Sequence, residues 1–220
     1  MQLSAVLLAR VLAFFDINDL NPRGRLFFPD LVPLIVERFR FSTYPQKPED
    51  FDEQKGIVFS GGYISGTTVD KLTVWSDGAG FDVRSSTDEA KEIIHDTFQW
   101  LKSVVDLNYT ERSIIRWGYL SQLTFYSDID LLKLNPAVEK LCNRISEHLG
   151  SDHKSYEFRP VNLGLTFDRY MNPWTMAPFG IQRRAGSPFE DNKYFSEAPL
   201  PTATHLEFLQ ALEEDLRAQL

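Results

Sequence analysis

Residues 70–86 read DKLTVWSDGAGFDVRSS. Leu72 and Val74 alternate with Lys71 and Thr73 on the way into Asp77-Gly78, and Phe81 and Val83 flank Asp82 on the way out. Two alternating runs joined at such a dipeptide mark an antiparallel hairpin. The segment then enters a helix signal. Ser86 stands as N-cap with Glu89 three residues later, a capping box. Ala90, Ile93, Ile94, Thr97, Phe98, Leu101, Val104 and Val105 follow at helical spacing.

Working outward, the same two periods recur. NPAVEKLCNRISEHLG (135–150) has Asn135 as N-cap, Pro136 at the first helical position and Gly150 as stop, with Val138, Leu141, Cys142, Ile145 and Leu149 as its stripe. THLEFLQALEEDLRAQL (204–220) opens with Thr204 and Glu207 at capping-box spacing, and Leu209, Leu212, Leu216 and Leu220 define its expected apolar face. PDLVPLIVERF (29–39) reads as a short helix, with Pro33 in its first turn. Strands are expected in RVLAFFDI (10–17), GIVFSGGYI (56–64), SIIRWGYLSQLTFY (113–126) and VNLGLTFD (161–168). Ile115, Trp117, Tyr119, Leu123 and Phe125 share one face of the third, and Val161, Leu163, Leu165 and Phe167 one face of the fourth.

Alternation of apolar and polar residues implies sheets covered on one face, which favours antiparallel pairing. Parallel sheets would instead show solidly apolar strands regularly interleaved with helices. The class is therefore α+β: a curved antiparallel or mixed sheet with three main helices packed mostly on one face. At 220 residues the chain suits a single domain, 1–220, long enough to bury a core without disulfide or metal staples. The 17 Phe make that core aromatic.

A net charge of -8 argues against nucleic acid as the main partner, because phosphate binding needs clustered cations. The one cysteine, Cys142, forbids an intrachain disulfide and suits the cytoplasm. MQLSAVLLARVLAFFDIN (1–18) resembles a signal peptide only superficially. It has no Lys or Arg before its apolar part, and Arg10 interrupts that part. No apolar run approaches the roughly 18 residues of a membrane helix.

Chemistry-bearing motifs are incomplete. SGGYISG (60–66) lacks both the Gly-Lys-Ser/Thr of a P-loop and a following helix, so it reads as a turn or bulge between strands. DLNPRG (19–24) puts Arg23 where a calcium loop needs an oxygen ligand. Asp82 with Glu89-Ala90-Lys91 puts a nuclease-like trio into the first turn of a helix, where acids already complement the dipole. The histidines His95, His148, His153 and His205 show no ligand spacing. No metal and no cofactor is expected. Asp128 and Asp130, two apart after a strand, could supply a general base. With Arg183 and His205 they form the one constellation that would make a hydrolase.

Residues 181–204, IQRRAGSPFEDNKYFSEAPLPTAT, form a proline-rich ordered segment leading to the last helix. Phe179 and Ile181 have strand spacing, so alternation carries Arg183 onto their face and Arg184 onto the other. An inward arginine needs a carboxylate. Prolines at 188, 199 and 201 argue against any ladder or helix after it. A stretch held in shape while carrying Arg183, Arg184, Phe189, Tyr194 and Phe195 has the composition of an interface, and the same residues also suit lacing the last helix onto the sheet, with Phe189, Tyr194 and Phe195 filling the core edge. The expected role is a non-catalytic subunit acting through association with a protein partner or with itself, in a bacterial-type assembly of the defence or immunity kind.

Overall fold

The computed structural model describes residues 1–150, 157–168 and 176–219. The elements run β1 (Gln2–Phe14), α1 (Ile17–Leu20), α2 (Phe28–Phe39), β2 (Ile57–Ile64), β3 (Thr67–Trp75), β4 (Gly78–Val83), α3 (Thr87–Val105), β5 (Arg116–Tyr126), α4 (Pro136–Leu149), β6 (Asn162–Leu165), β7 (Phe179–Arg183), β8 (Lys193–Ala198) and α5 (Thr202–Arg217). The strands form one open antiparallel sheet in the order β2-β3-β4-β1-β5-β8-β7-β6. The fold is α+β. The chain divides into two compact units. One comprises Val6–Gln122 with Pro199–Thr204, and the other Met1–Ala5, Leu123–Ala198 and His205–Leu220.

In the Val6–Gln122 unit the expected hairpin joins β3 to β4, with Trp75 paired to Gly78 and Ser76-Asp77 as the turn. Gly78 thus lies inside the strand. A Cβ there would sit 2.7 Å from the Ala13 carbonyl oxygen, so close approach to β1 requires the glycine. Ala9, Val11 and Ala13 of β1 pair with Val83, Phe81 and Ala79 of β4, and all six are buried. Leu31, Val32, Ile35 and Phe39 of α2 and Ala90, Ile93, Ile94, Phe98 and Leu101 of α3 join the same core cluster. The aromatic core is literal: Phe39 stacks on Phe41 at 5.2 Å and tilts onto Phe81 at 5.7 Å.

Several local expectations change. Ser86 accepts from the Glu89 amide at 3.1 Å as N-cap of α3, but the Glu89 carboxylate turns to the Thr67 hydroxyl rather than closing a capping box. SGGYISG supplies the turn, Ser65-Gly66 leading into β3, while Gly61 at φ +67 lies inside β2, whose register with β3 runs unbroken from Ser60 to Ile64. Thr87 and Thr202 each accept the other's backbone N–H, at 3.1 and 2.8 Å, so the start of α3 and the start of α5 cap one another.

In the other unit, β8 corrects the expectation that prolines bar a ladder beyond Arg184. Pro188 and Pro199 flank Lys193–Ala198 without interrupting it, and β8 pairs antiparallel with β7, Arg183 opposite Tyr194 and Ile181 opposite Ser196. The face of α5 also differs. Thr202, His205, Leu209 and Glu213 are the buried positions, at helical spacing, while Leu212 and Leu216 are half-buried. Dedicated partners draw two polar residues inward, which apolar counting cannot see. The helix begins at Thr202, two residues earlier than the Thr204 reading. Leu220 and His153 lie outside the described residues. α4 has the expected bounds and the Asn135 cap, which accepts the Ala137 amide, but it buries none of its residues. Among the described residues no helix is long and apolar enough to cross a membrane.

Ile94 is fully buried beneath α3. Ile94→Ala should cost about 2–5 kcal/mol in urea unfolding, whereas Val104→Ala on the exposed flank should change stability by less than about 0.5 kcal/mol.

Candidate functional site

β7, β8 and the chain after β5 build a polar cluster in the Leu123–Ala198 unit. Alternation along β7 brings Arg183 onto the Ile181 face, as its spacing implies, and its carboxylate partner is Asp130. Arg183 Nη2 donates to Asp130 Oδ2 at 2.5 Å, and its side chain is 6% exposed. Nε donates to the Pro160 carbonyl at 3.1 Å and Nη1 to the Phe189 carbonyl at 3.3 Å. The guanidinium also lies over the Phe189 ring, 4.8 Å from its centroid. All three guanidinium nitrogens are therefore engaged within the chain.

Asp130 is held just as tightly. Its Oδ1 accepts the Leu132 amide and the Tyr194 hydroxyl, both at 3.1 Å. The same hydroxyl accepts the Leu131 amide at 3.1 Å. Burial pushes the Tyr194 phenol up to about 12, with the Asp130 charge adding to the rise. Beside this cluster lies a cleft of about 400 Å³ that includes Lys133, Glu139, Cys142, Glu157 and Arg159. Lys133 meets Glu139 at 3.8 Å, and Arg159 pairs with Glu157 and, at 3.7 Å, with Glu190. Its charges are largely paired with one another.

Of the four residues of the hydrolase constellation, Asp130 and Arg183 meet each other, while Asp128 and His205 have other partners. Asp128 accepts from Arg217 at 3.1 Å. Asp130 and Arg183 face each other. His205, fully buried, has Nε2 2.8 Å from Ser196 Oγ and its ring edge-on to Phe179. Ser196 Oγ donates its one proton to the Gly180 carbonyl at 2.8 Å, so it can only accept from His205, which must carry its proton on Nε2. That polarity is the reverse of a histidine base drawing a proton from serine. Desolvation lowers His205 to about 4, keeping it neutral.

One further polar centre was not legible in the sequence. Glu213 Oε2 lies 2.5 Å from the Met1 α-amino nitrogen, while Oε1 accepts the Ser127 hydroxyl at 2.6 Å and the Asp128 amide at 3.0 Å. Burial opposes its ionisation, but these donors together outweigh it and hold the carboxyl below its usual range.

Of the five residues proposed as partner contacts, Arg183 and Tyr194 are taken up inside the chain. Phe195 is half-buried opposite Gln182, Phe189 is half-buried beneath the arginines, and Arg184 is exposed. The Arg184 backbone amide bonds the Lys193 carbonyl at 2.9 Å, and no carboxylate among the described residues pairs with its side chain. No protein-family model matches the chain, and no curated protein matches it.

Arg183→Ala should cost about 3 kcal/mol in chemical unfolding, because it strands Asp130 and two carbonyls, while Arg184→Ala should stay within about 0.5 kcal/mol of the parent. His205 adds a pH dependence. Between its folded value near 4 and its unfolded value of 6.5, the unfolded chain binds more protons. Stability is fully present above pH 6.5 and is lost as pH falls through that window, by about 3 kcal/mol in total. Thermal melts from pH 7 to 4 should show this slope in the parent and a flatter one in His205→Gln.

Proposed function

We propose that the chain is a non-catalytic subunit that works by protein–protein association, with itself or within a bacterial-type assembly. The observation that carries this reading is α4 and its surroundings. A helix of 14 residues with an apolar stripe leaves Val138, Leu141 and Leu149 exposed, at 41, 56 and 44%. Leu134, Phe158, Val161 and Leu165 are exposed in the same unit. An isolated helix gains most of its stability from burying such a stripe, so an uncovered one is suited to a partner.

β6 adds to it. It stands at one end of the sheet order, and residues 161–167 contain no Pro, Lys or Glu to blunt that edge. An unprotected edge strand can accept a further strand. The single cysteine suits a reducing cytoplasmic setting. The hydrolase reading gains nothing from the geometry, since its carboxylates and arginine are paired and its histidine is buried.

Leu141→Glu tests the proposal, because an exposed leucine can be charged without unfolding the helix. Light scattering after size exclusion of the parent should give a mass above the 25.3 kDa chain, or a co-purified partner at fixed stoichiometry. Leu141→Glu should lose that assembly with its melting temperature unchanged. A parent that stays a 25.3 kDa monomer and retains no stoichiometric partner would reject the reading.

A further inference from the structure

The β6-β7-β8 ladder has two unlike faces. Ile181, Tyr194 and Ser196, all fully buried, share one of them. Strand register puts Asn162, Gln182 and Phe195 side by side across the other, with Gly164, Gly180 and Glu197 as the next row along. On that face Asn162, Gly164 and Gln182 are exposed. A cavity of about 430 Å³ lies here, and all six residues line it.

The glycines form its floor. Gly164 and Gly180 stand opposite each other in unbroken register, and neither has a positive φ. A Cβ on Gly164 would meet nothing within 4 Å, and one on Gly180 would meet only the Leu163 carbonyl oxygen, at 3.6 Å. Neither backbone conformation nor packing requires glycine at these positions, and glycine inside a strand weakens it. The missing side chains leave a place where another molecule can approach the sheet closely.

The same face carries charge that the fold does not use. β7 and β8 extend their register by one pair, the Arg184 amide donating to the Lys193 carbonyl at 2.9 Å. Alternation places both side chains on the Gln182 and Phe195 face. Two cations therefore stand directly opposite on neighbouring strands, an arrangement that costs stability. Among the described residues no hydrogen bond or ion pair engages the Arg184 guanidinium or the Lys193 ammonium, which lies over the Tyr126 ring, 4.9 Å from its centroid. The chain has 31 acidic residues to 23 basic ones, yet no described carboxylate pairs with either cation.

This arrangement selects its ligand. An arginine fork beside a lysine matches the oxygens and charge of a phosphate. Gln182 and Phe195 lie two residues along their strands from the cation pair, about 7 Å away. That distance suits the span from the phosphate of a mononucleotide to its base. An aromatic face can stack a base, and the amides of Gln182 and Asn162 each offer a donor and an acceptor to its edge. A net charge of -8 disfavours a polynucleotide. We infer that this face binds a nucleoside monophosphate, with the phosphate on Arg184 and Lys193 and the base against Phe195, its edge at Gln182 and Asn162. The inference is independent of the association proposed above, which rests on α4 and the β6 edge.

Adenosine monophosphate and its two overlapping parts, adenosine and ribose 5-phosphate, are the probes. Binding is followed at the Gly164 and Gly180 amides in ¹H–¹⁵N spectra of the full chain, each signal identified by its loss in Gly164→Ala or Gly180→Ala. The nucleotide should give saturable shifts with a Kd on the order of 1 mM or below, at least about 5-fold tighter than either part. Arg184→Gln should weaken the nucleotide about 3- to 10-fold and leave adenosine unchanged. Gly180→Val fills the floor, so it should weaken the nucleotide at least about 5-fold while melting no lower than the parent. No saturable shift, a part that binds as tightly as the whole nucleotide, or an Arg184→Gln variant that binds the nucleotide like the parent would each overturn the inference.

Discussion

Covering one face of the β2-β3-β4-β1 ladder is the constraint on which the Val6–Gln122 unit depends. The strands meet it with small residues where the helices must approach. Ala9 and Ala13 of β1 and Ala79 of β4 leave room that Phe39, Phe81 and Phe98 help to fill. This is close packing of large against small, where a change of one methylene is felt. It also frees the opposite strand face for charge, where Arg10 grips Asp82 through two hydrogen bonds of 2.6 and 2.7 Å. Asp82 is itself buried, as is every residue of β4, so this central strand is covered on both faces and its one carboxylate is held there by Arg10.

The Leu123–Ala198 unit is organised differently. Its interior holds Arg183, Tyr194, His205 and Glu213, each of which would be costly if unpaired. Each has a matched partner: Asp130 for Arg183 and Tyr194, Ser196 for His205, Ser127 and the chain's first amino group for Glu213. Such pairs stabilise less than apolar residues of equal volume, but breaking one is expensive, so they enforce one strand register and one helix face. Moving α5 by a single residue would take both His205 and Glu213 away from their partners.

What could be read from the sequence follows this division. α3 and α4 were legible to within a residue, because Ser86 and Asn135 are local caps and Gly150 a local stop. The inward turn of Arg183 was legible because strand period is local too. β8 was not, since three nearby prolines outweighed six permissive residues between them. Nor was the face of α5, because the partners that bury His205 and Glu213 come from Ser196 and Ser127, far along the chain. α4 was legible as an amphipathic helix, yet periodicity records only that a stripe exists and is silent on whether anything covers it.

The residues that looked most functional by type have structural duties. An arginine in a strand, a histidine on a helix and paired aspartates all draw attention as potential chemistry, yet here Arg183, His205 and Asp130 are occupied by neighbours that the fold itself supplies. Once such a group is satisfied, the observation that singled it out is explained. The reverse holds for Gly180, Arg184 and Leu141, which are ordinary residue types in positions where the fold gains nothing from them. Gly180 has no backbone need to be glycine, the Arg184 side chain pairs with no described residue, and Leu141 stands on an uncovered apolar stripe. Natural sequences tend to agree with their fold at every level, so departures that folding does not repay point to what lies outside the chain. By that criterion the buried ionic cluster of Arg183, Asp130 and Tyr194 belongs to the fold.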